Sequence, residues 1–536
     1  LHTSGNISGD PVFCGREQGN YTIGDSSPCT QNSSPCGEIM GSEEVGCHTR
    51  SVTLVKSDGS GDTETIQDAL DAAADGDSIF LAPGTFSGVG NRDLSTRGKA
   101  VVVLSLKGPD ETVIDCSTSQ GGYSGFYITG RESRSTVIRG VKITGAGAGG
   151  VWCEGSNPTV VDCIISDNIP SVGYRGGGIY LKNSAPRISG CSITGNRTGS
   201  TGGGIFCTGS QPVVEDCVIS GNTALENGGG IDLKSGSALI INNSLISDNI
   251  SETGFGGGLN TVMSTALISG CRITGNRTVE SGGGIFNGAN SSIEIENSLV
   301  SGNRSTGMAG GIYAGSDITI NGCTVTSNYA PLYGSGIECV SGPSAAIYGS
   351  VIAFNEGSEG LYSIIGDADI SCSNLFGNPE GNYGGGGSDQ TGINGNISAD
   401  PQFCDTLSGD WRVSTASPCM PEGNGCGILM GAFDAGCGDL PDLTVTTPSF
   451  DPEIPVAGAS CMVSLMVRNE GTVNADTVTV NIYQDPESWP CLGAEPWTVA
   501  SPSLAAGDSV TLELEIYKAE PGVEDIYLVL DPENLV

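Results

Sequence analysis

The heptapeptide GCSITGN at residues 190–196 recurs in variant form along the middle of the chain. The other copies are DCIISDN (162–168), DCVISGN (216–222), NSLISDN (243–249), GCRITGN (270–276), NSLVSGN (297–303), GCTVTSN (322–328) and GSVIAFN (349–355). Successive copies end 28, 26, 27, 27, 27, 25 and 27 residues apart. A repeat this regular indicates a solenoid, in which each unit contacts only its neighbours.

A second motif, GGGI or a near relative, runs alongside the first. Its copies end at Ile179, Ile205, Ile231, Leu259, Ile285, Ile312 and Ile337. Within each unit, apolar residues alternate with small polar ones, which is the period of a β-strand. A unit of about 27 residues that contains only short strands predicts one coil of a parallel β-helix, with coils about 4.8 Å apart.

One column of the repeat contains only cysteine and serine. Its members are Cys163, Cys191, Cys217, Ser244, Cys271, Ser298, Cys323 and Ser350. We expect these side chains to point inward as a stacked ladder, because a free thiol behaves as a small hydrophobe. Disulfides between adjacent coils are the alternative.

A second column is asparagine throughout. Its members are Asn168, Asn196, Asn222, Asn249, Asn276, Asn303, Asn328 and Asn355. Asparagine tolerates left-handed backbone at a turn and can bond its stacked neighbours, so we expect a structural ladder. Asn196, Asn249, Asn276 and Asn303 also lie in N-x-S/T triplets, and glycosylation is the alternative there.

The segment at residues 51–88 contains the clearest amphipathic helix. Ile66, Ala69, Leu70 and Ala73 share one face, and Thr63 or Thr65 can cap its start. We expect this helix to cover the first coil.

The sequences TIQDALDAA (65–73), GDSIFLAPGTF (76–86), GKAVVVLSLKGPDETVIDC (98–116) and RGVKITG (139–145) resemble the start of right-handed parallel β-helix proteins of the pectate-lyase-like superfamily. The GGGI and ISGN repeats are similar to those of bacterial polymorphic surface proteins. The resemblance covers roughly residues 50 to 437. It implies an architecture rather than an activity.

Two segments of the chain are copies of one cysteine module. Residues 395–437 resemble the closing segment of such solenoids, and residues 5–47 repeat it at an offset of 390. The two sets are Cys14, Cys29, Cys36 and Cys47, and Cys404, Cys419, Cys426 and Cys437. We expect two local disulfides in each set, with three connectivities open. The first copy predicts either a longer tandem chain or docking on another subunit, and hence head-to-tail association.

Residues 439–536 read as short alternating strands typical of a β-sandwich. Cys461 and Cys491 are expected partners there. The order PDLTV, VSLMVRNEGTVNADTVTVNIYQD and LAAGDSVTLELE is similar to the CARDB family of immunoglobulin-like domains, which implies a stalk or spacer. The predicted fold is therefore all-β. It divides into a cap module (1–50), a right-handed parallel β-helix (51–394), a closing module (395–438) and a sandwich (439–536).

Composition restricts the function. A net charge of −38 opposes binding to nucleic acid, and 20 cysteines favour an oxidising, extracellular compartment or the cell surface. No apolar run reaches the length of a membrane span.

No catalytic motif is recognisable. The two histidines, His2 and His48, lie outside the solenoid. Asp162 and Asp216 occupy the same position in two copies of the repeat, and that position alone explains why they match. Asp167 and Asp248 could bind Ca²⁺ at a turn, and we predict no other cofactor.

These patterns predict a non-enzymatic structural or adhesive surface protein, whose partners are further copies of itself, other surface proteins or glycans. The alternative is a rod that binds polysaccharide or cleaves it by a lyase-type reaction.

Overall fold

The computed structural model describes residues 51–437 except 118–121, 172, 341–344 and 407. Outside that range it describes 13–15, 20–24, 45–47, 443–445, 449–451, 459–469, 478–484, 497–501, 503–505, 507–518 and 526–530. The solenoid consists of three long parallel sheets and one short one, stacked coil on coil. The predicted parallel β-helix is therefore confirmed.

Each complete coil contributes one strand to each long sheet, and the three sheets have 13, 12 and 11 strands. The first sheet has the strands Val52–Val55, Ser78–Leu81, Val102–Ser105, Val137–Arg139, Thr159–Val161, Arg187–Ser189, Val213–Glu215, Ala238–Asn242, Thr265–Ser269, Ser292–Glu296, Asp317–Asn321, Ala345–Tyr348 and Asp369–Ser371. The second has Gly84–Ser87, Thr112–Asp115, Lys142–Thr144, Ile164–Ser166, Ser192–Thr194, Val218–Ser220, Leu245–Ser247, Arg272–Thr274, Leu299–Ser301, Thr324–Thr326, Val351–Ala353 and Asn374–Phe376. The third has Phe126–Ile128, Val151–Glu154, Ile179–Lys182, Ile205–Thr208, Ile231–Lys234, Leu259–Val262, Ile285–Asn287, Ile312–Ala314, Ile337–Cys339, Leu361–Ser363 and Tyr383–Gly385. The short fourth sheet has Arg197–Thr198, Thr223–Ala224, Ile250–Ser251, Arg277–Thr278 and Arg304–Ser305.

The core is a continuous column of aliphatic side chains inside the coils. In the three-residue strands of the first sheet, alternation places the middle residue inward, so Ile188 is buried and pairs in register with Val160 and Val214. One cluster of buried residues runs from Val55 to Leu375. Burial of about 25 cal/mol per Å² of apolar surface along this column is the main force that stacks the coils.

The predicted helix covers the start of this column. It spans Ile66–Ala72, and Thr65 forms its N-cap in a capping box with Asp68. Ile66 and Leu70 are buried, and the helix packs against the first two strands of the first sheet. The apolar face and the Thr65 cap were therefore predicted correctly.

The cysteine and serine column points inward. All five of its cysteines are buried free thiols. The peptide N–H of Cys217 donates to Ser244 Oγ at 3.1 Å, and that of Cys271 donates to Ser298 Oγ at 3.0 Å. Burial raises the pKa of Cys323 to about 12, which keeps the thiol protonated and unreactive.

The asparagine column forms a buried hydrogen-bond ladder. Asn249 Oδ1 accepts from the peptide N–H of Asn222 at 3.0 Å and from its Nδ2 at 2.9 Å. Asn249 Nδ2 in turn donates to Ile219 O at 2.8 Å and to Asn276 Oδ1 at 2.9 Å. Every ladder asparagine has its side chain sealed between coils.

The prediction of left-handed backbone at these asparagines is wrong. The left-handed residue is the one before each asparagine, with φ between 53° and 66°. These residues are Asp167, Gly195, Gly221, Asp248, Gly275, Gly302, Ser327 and Phe354. The turn is made one residue early, because the asparagine side chain must point into the coil to reach its neighbours.

Of the two local disulfides expected in the closing module, one is present and the other is not. Cys404 bonds Cys437 within the module, but Cys426 bonds Cys372 in the last coils. Cys419 is a buried free thiol that accepts from Asn374 Nδ2 at 3.2 Å. Only Cys404 and Cys437 of the four pair with each other, because the chain turns back and packs on the solenoid, which brings Cys426 to Cys372.

The closing module lies along the side of the solenoid rather than only across its end. The peptide N–H of Gly431 donates to Gly349 O at 2.8 Å, and that of Ala432 donates to Thr324 Oγ1 at 3.0 Å. The outward residues beneath it, among them Leu299 and Val351, are buried. The module also contains Phe403–Asp405 and Asp410–Val413, which pair antiparallel, and a 3-10 turn at Pro421–Gly423. The last coil itself extends past the expected boundary at residue 394, since Ile397 bridges Asn374.

The C-terminal region forms two antiparallel sheets, as the predicted sandwich requires. One contains Leu443–Val445, Ser449–Asp451, Ala459–Asn469 and Ser509–Lys518, and the other contains Val478–Gln484, Trp497–Ser501 and Ile526–Leu530. The N-terminal strands are Phe13–Gly15, Asn20–Gly24 and Val45–Cys47. The expected disulfides of the N-terminal module and of Cys461 with Cys491 lie outside what the structure describes. Within the described residues, no helix is long and apolar enough to cross a membrane.

Candidate functional site

A column of aromatic side chains runs along the outer face of the third sheet. Alternation buries the first and third residues of each strand and turns the second outward. The outward residues lie in register from coil to coil. They are Tyr127, Trp152, Tyr180, Phe206, Asp232, Asn260, Phe286, Tyr313, Glu338, Tyr362 and Gly384. We call this set the aromatic column.

The N-terminal part of the column is a stack of rings. Trp152 lies 3.9 Å from Tyr180 and 6.2 Å from Tyr127, measured between ring centroids, and Tyr180 lies 5.5 Å from Phe206. Tyr174 meets Trp152 edge-on at 6.0 Å. Tyr127 is 42% exposed, whereas Phe206 is fully buried. The open end of this stack therefore offers ring surface to a ligand, and Phe206 serves packing.

Two polar residues interrupt the rings. Asn260 Nδ2 donates to Asp232 Oδ1 at 2.5 Å, and Lys234 Nζ lies 3.1 Å from Asp232 Oδ2. Asp232 is buried, and this desolvation raises the pKa of its carboxyl while Lys234 opposes the shift.

A second aromatic group follows towards the C-terminal end. Phe286 lies 4.6 Å from Tyr313 and 4.5 Å from Phe255, and Tyr333 lies 4.7 Å from Tyr362. Tyr333 is 43% exposed. This end also presents aromatic surface at the outside of the coil.

Glu338 lies in the column between Tyr313 and Tyr362. Its side chain is buried, and neither carboxylate oxygen has a hydrogen-bond partner among the described residues. Desolvation raises the pKa of Glu338 to about 7. At neutral pH a substantial fraction of this group is a neutral carboxylic acid that can donate a hydrogen bond.

The column also contains other polar atoms without partners among the described residues. Trp152 Nε1 and Asn260 Oδ1 are buried and unpaired, as is the nearby Thr201 Oγ1. Native proteins leave few buried polar groups unpaired, so each such group calls for an explanation. Rings together with spare donors and acceptors can hold a polyhydroxylated ligand, whose C–H faces stack and whose hydroxyls bond.

The sequence-predicted polar residues do not assemble into a site. Asp162, Asp167, Asp216 and Asp248 all adopt left-handed backbone at coil corners, where most other coils have Gly. Asp162 Oδ2 accepts from Arg139 Nε at 3.1 Å. Within the described part of the chain, no group of three or more His, Cys, Asp or Glu side chains is placed to hold a metal ion.

The ladder asparagines are not modification sites in the folded protein. Asn196, Asn249, Asn276 and Asn303 are fully buried, and each Nδ2 donates two hydrogen bonds. A glycan on Nδ2 would break the ladder.

Sequence reasoning missed the aromatic column, although its signal was present. The residue that follows each GGGI motif is its member, as in Tyr180, Phe206, Phe286 and Tyr313. Aligning the motifs by their last residue would have shown the aromatics in one column.

Two families match the chain. Residues 102–266 match the right handed beta helix region, and residues 440–536 match CARDB. Among solved structures, pectate lyase Pel9A is 18% identical, with 72% of this chain and 97% of that chain covered and a TM-score of 0.41. The enzymatically active domain of bacteriophage CBA120 tailspike protein 4 is 11% identical, with 83% and 61% covered and a TM-score of 0.23. None of the curated proteins matches the chain. The two family matches agree with the resemblances noted in the sequence.

Proposed function

We propose that this chain, which contains a right-handed β-helix and a CARDB domain, is an extracellular adhesive protein. It binds polysaccharide along the aromatic column without cleaving it. The observation that carries the proposal is the composition of that column. Aromatic residues make up 6% of the chain, yet they occupy seven of the eleven outward positions of the third sheet.

Ring stacking alone would stabilise the coils, and Phe206 has that role. It does not account for the exposed rings of Tyr127 and Tyr333. The apolar face of a sugar ring supplies the missing partner for such rings. These exposed rings favour glycan binding over packing alone.

Binding without hydrolysis is supported by the spacing of the column's carboxyl groups. Asp232 and Glu338 are four coils apart in register, which is about 19 Å at ~4.8 Å per coil. The paired carboxyl groups of glycoside hydrolases lie roughly 5 to 10 Å apart. The pair in this column is too widely separated for that reaction.

An extracellular location is supported by cysteine chemistry. Two disulfides, Cys372–Cys426 and Cys404–Cys437, fasten the closing module. Such bonds persist in oxidising compartments and are rare in the cytosol.

Tryptophan fluorescence of the full chain tests the proposal. We expect soluble polysaccharides to change the emission, and Trp152→Phe to reduce that change. Tyr127→Ala should weaken binding about three- to tenfold, since a stacked ring contributes roughly 0.5–1.5 kcal/mol. Tyr348→Ala, at a ring 45% exposed on the first sheet, is the matched control and should bind normally.

The same samples test the absence of cleavage. Incubation with neutral and acidic polysaccharides, with and without Ca²⁺, should release no new chain ends. Released oligosaccharides would favour the enzymatic alternative instead, and a chain that binds no polysaccharide would refute the proposal.

A further inference from the structure

We propose a second site, separate from the aromatic column, that binds one carboxylate group carried by a saccharide. It is a groove of about 500 Å³ on the fourth sheet, and we call it the arginine groove. The residues that matter are Ile250, Glu252, Arg277, Val279 and Arg304. Cavities of this size are typical of small-ligand sites.

Two arginines stand side by side in the groove. Arg277 and Arg304 are register partners on adjacent strands, so their Cα atoms lie about 4.8 Å apart. Like charges directly opposite each other destabilise a sheet. Placing these two arginines side by side therefore costs free energy, and the fold alone does not explain why they are there.

Within the part of the chain that the structure describes, no carboxylate neutralises either guanidinium. The chain has 60 acidic and 22 basic side chains, yet among the described residues neither arginine forms an ion pair with a carboxylate. Arg304 lies over the ring of Tyr329, 4.0 Å from its centroid. Arg197 lies in the same column and does have a carboxylate partner, since its Nη2 donates to both oxygens of Glu252 at 3.0 and 3.2 Å. The acid at the groove's edge is thus already engaged.

Two arginines on adjacent strands that line one groove are suited to bind one carboxylate. The planar fork of arginine donates paired hydrogen bonds to carboxylate oxygens, and a shared anion removes the repulsion between the two cations. Ile250 and Val279, 38% and 46% exposed, supply apolar walls for the body of the ligand.

The net charge of −38 narrows the ligand class. A polyanion would be strongly repelled by the molecule as a whole, whereas a ligand with one carboxylate on an uncharged body would be repelled much less. The carboxylate is inferred from the arginines alone, and the choice of a saccharide body rests on the proposed function.

Calorimetric titration of the full chain with glucuronate tests the site. We expect glucuronate to bind, and glucose, acetate and inorganic phosphate to bind at least about tenfold more weakly. Arg277→Gln and Arg304→Gln should each weaken glucuronate binding about tenfold or more, because a hydrogen bond to a charged group is lost. Arg134→Gln, an exposed arginine outside the groove, is the matched control.

The outcomes are separable. Unchanged binding in both groove variants would overturn the site. Equal binding of acetate or phosphate, or tighter binding of a peptide through its C-terminal carboxylate, would overturn the saccharide class. Neutral polysaccharide should still bind Arg277→Gln. If neutral polysaccharide fails to bind the parent chain while glucuronate binds, the proposed function fails and the groove stands.

Discussion

Glu338 couples the aromatic column to pH. Its carboxyl is buried between Tyr313 and Tyr362, and its pKa of about 7 lies above the ordinary value of 4.5. The folded protein therefore holds this proton more tightly than the unfolded chain does. The contribution of Glu338 to stability is fully present below about pH 4.5 and is lost as pH rises towards 7, because the carboxyl ionises first in the unfolded state.

We predict that Glu338→Gln removes this loss. The free energy of unfolding of the variant, relative to that of the parent protein, should rise by about 1–3 kcal/mol between pH 5 and pH 8. Each pKa unit corresponds to 1.36 kcal/mol, and part of the shift is screened. Thermal unfolding of the full chain at several pH values measures the difference. Glu294→Gln, at an exposed first-sheet position, should show no such trend. A parent and a Glu338→Gln variant that keep a constant difference in Tm across this range would contradict the assignment.

At the scale of one element, the asparagine ladder binds coil to coil. Removing one rung leaves the peptide N–H of Asn222 without its acceptor, and Asn222 Nδ2, Ile219 O and Asn276 Oδ1 each lose one hydrogen bond. We predict that Asn249→Ala destabilises the protein by about 2–4 kcal/mol, because buried polar groups lose their bonds together. A fall in Tm measures this, and Ser292→Ala on an exposed position of the first sheet should leave Tm unchanged. If the ladder contributed nothing to stability, both variants would have the same Tm.

The same ladder shows what the sequence could and could not predict. Period-two alternation and a fixed spacing are local properties, so the strands, the inward column at Cys271 and the helix at Ile66–Ala72 could be read from the chain. The corner geometry could not, because Asp248 and Asn249 both suit a turn and only the reach between coils decides which one makes it. The burial of Glu338 likewise depends on residues of two other coils.

Across the whole molecule, the closing module shows the limit of local reasoning most clearly. Four cysteines at matching spacings suggest a self-contained disulfide knot, but Cys426 reaches Cys372 because the chain returns along the second sheet. That return path is a tertiary feature. It converts the module from an isolated cap into a side cover that is covalently fixed to the solenoid.

The duplicate at residues 5–47 should follow the same chemistry. At the offset of 390, Cys14 and Cys47 correspond to Cys404 and Cys437, and Cys36 corresponds to Cys426. We therefore predict a Cys14–Cys47 disulfide and no bond between Cys29 and Cys36, which leaves Cys36 for the last coil of a neighbouring β-helix.

Mass spectrometry of a non-reduced digest measures this pairing, with Cys404–Cys437 and Cys372–Cys426 as internal standards. Head-to-tail association through the duplicate is the proposal that follows, since one surface joined to a different surface propagates unless it closes into a ring. Electron microscopy of the purified protein should then show end-to-end chains that reducing agent shortens. A Cys29–Cys36 bond together with monomers alone would contradict both the pairing and the association.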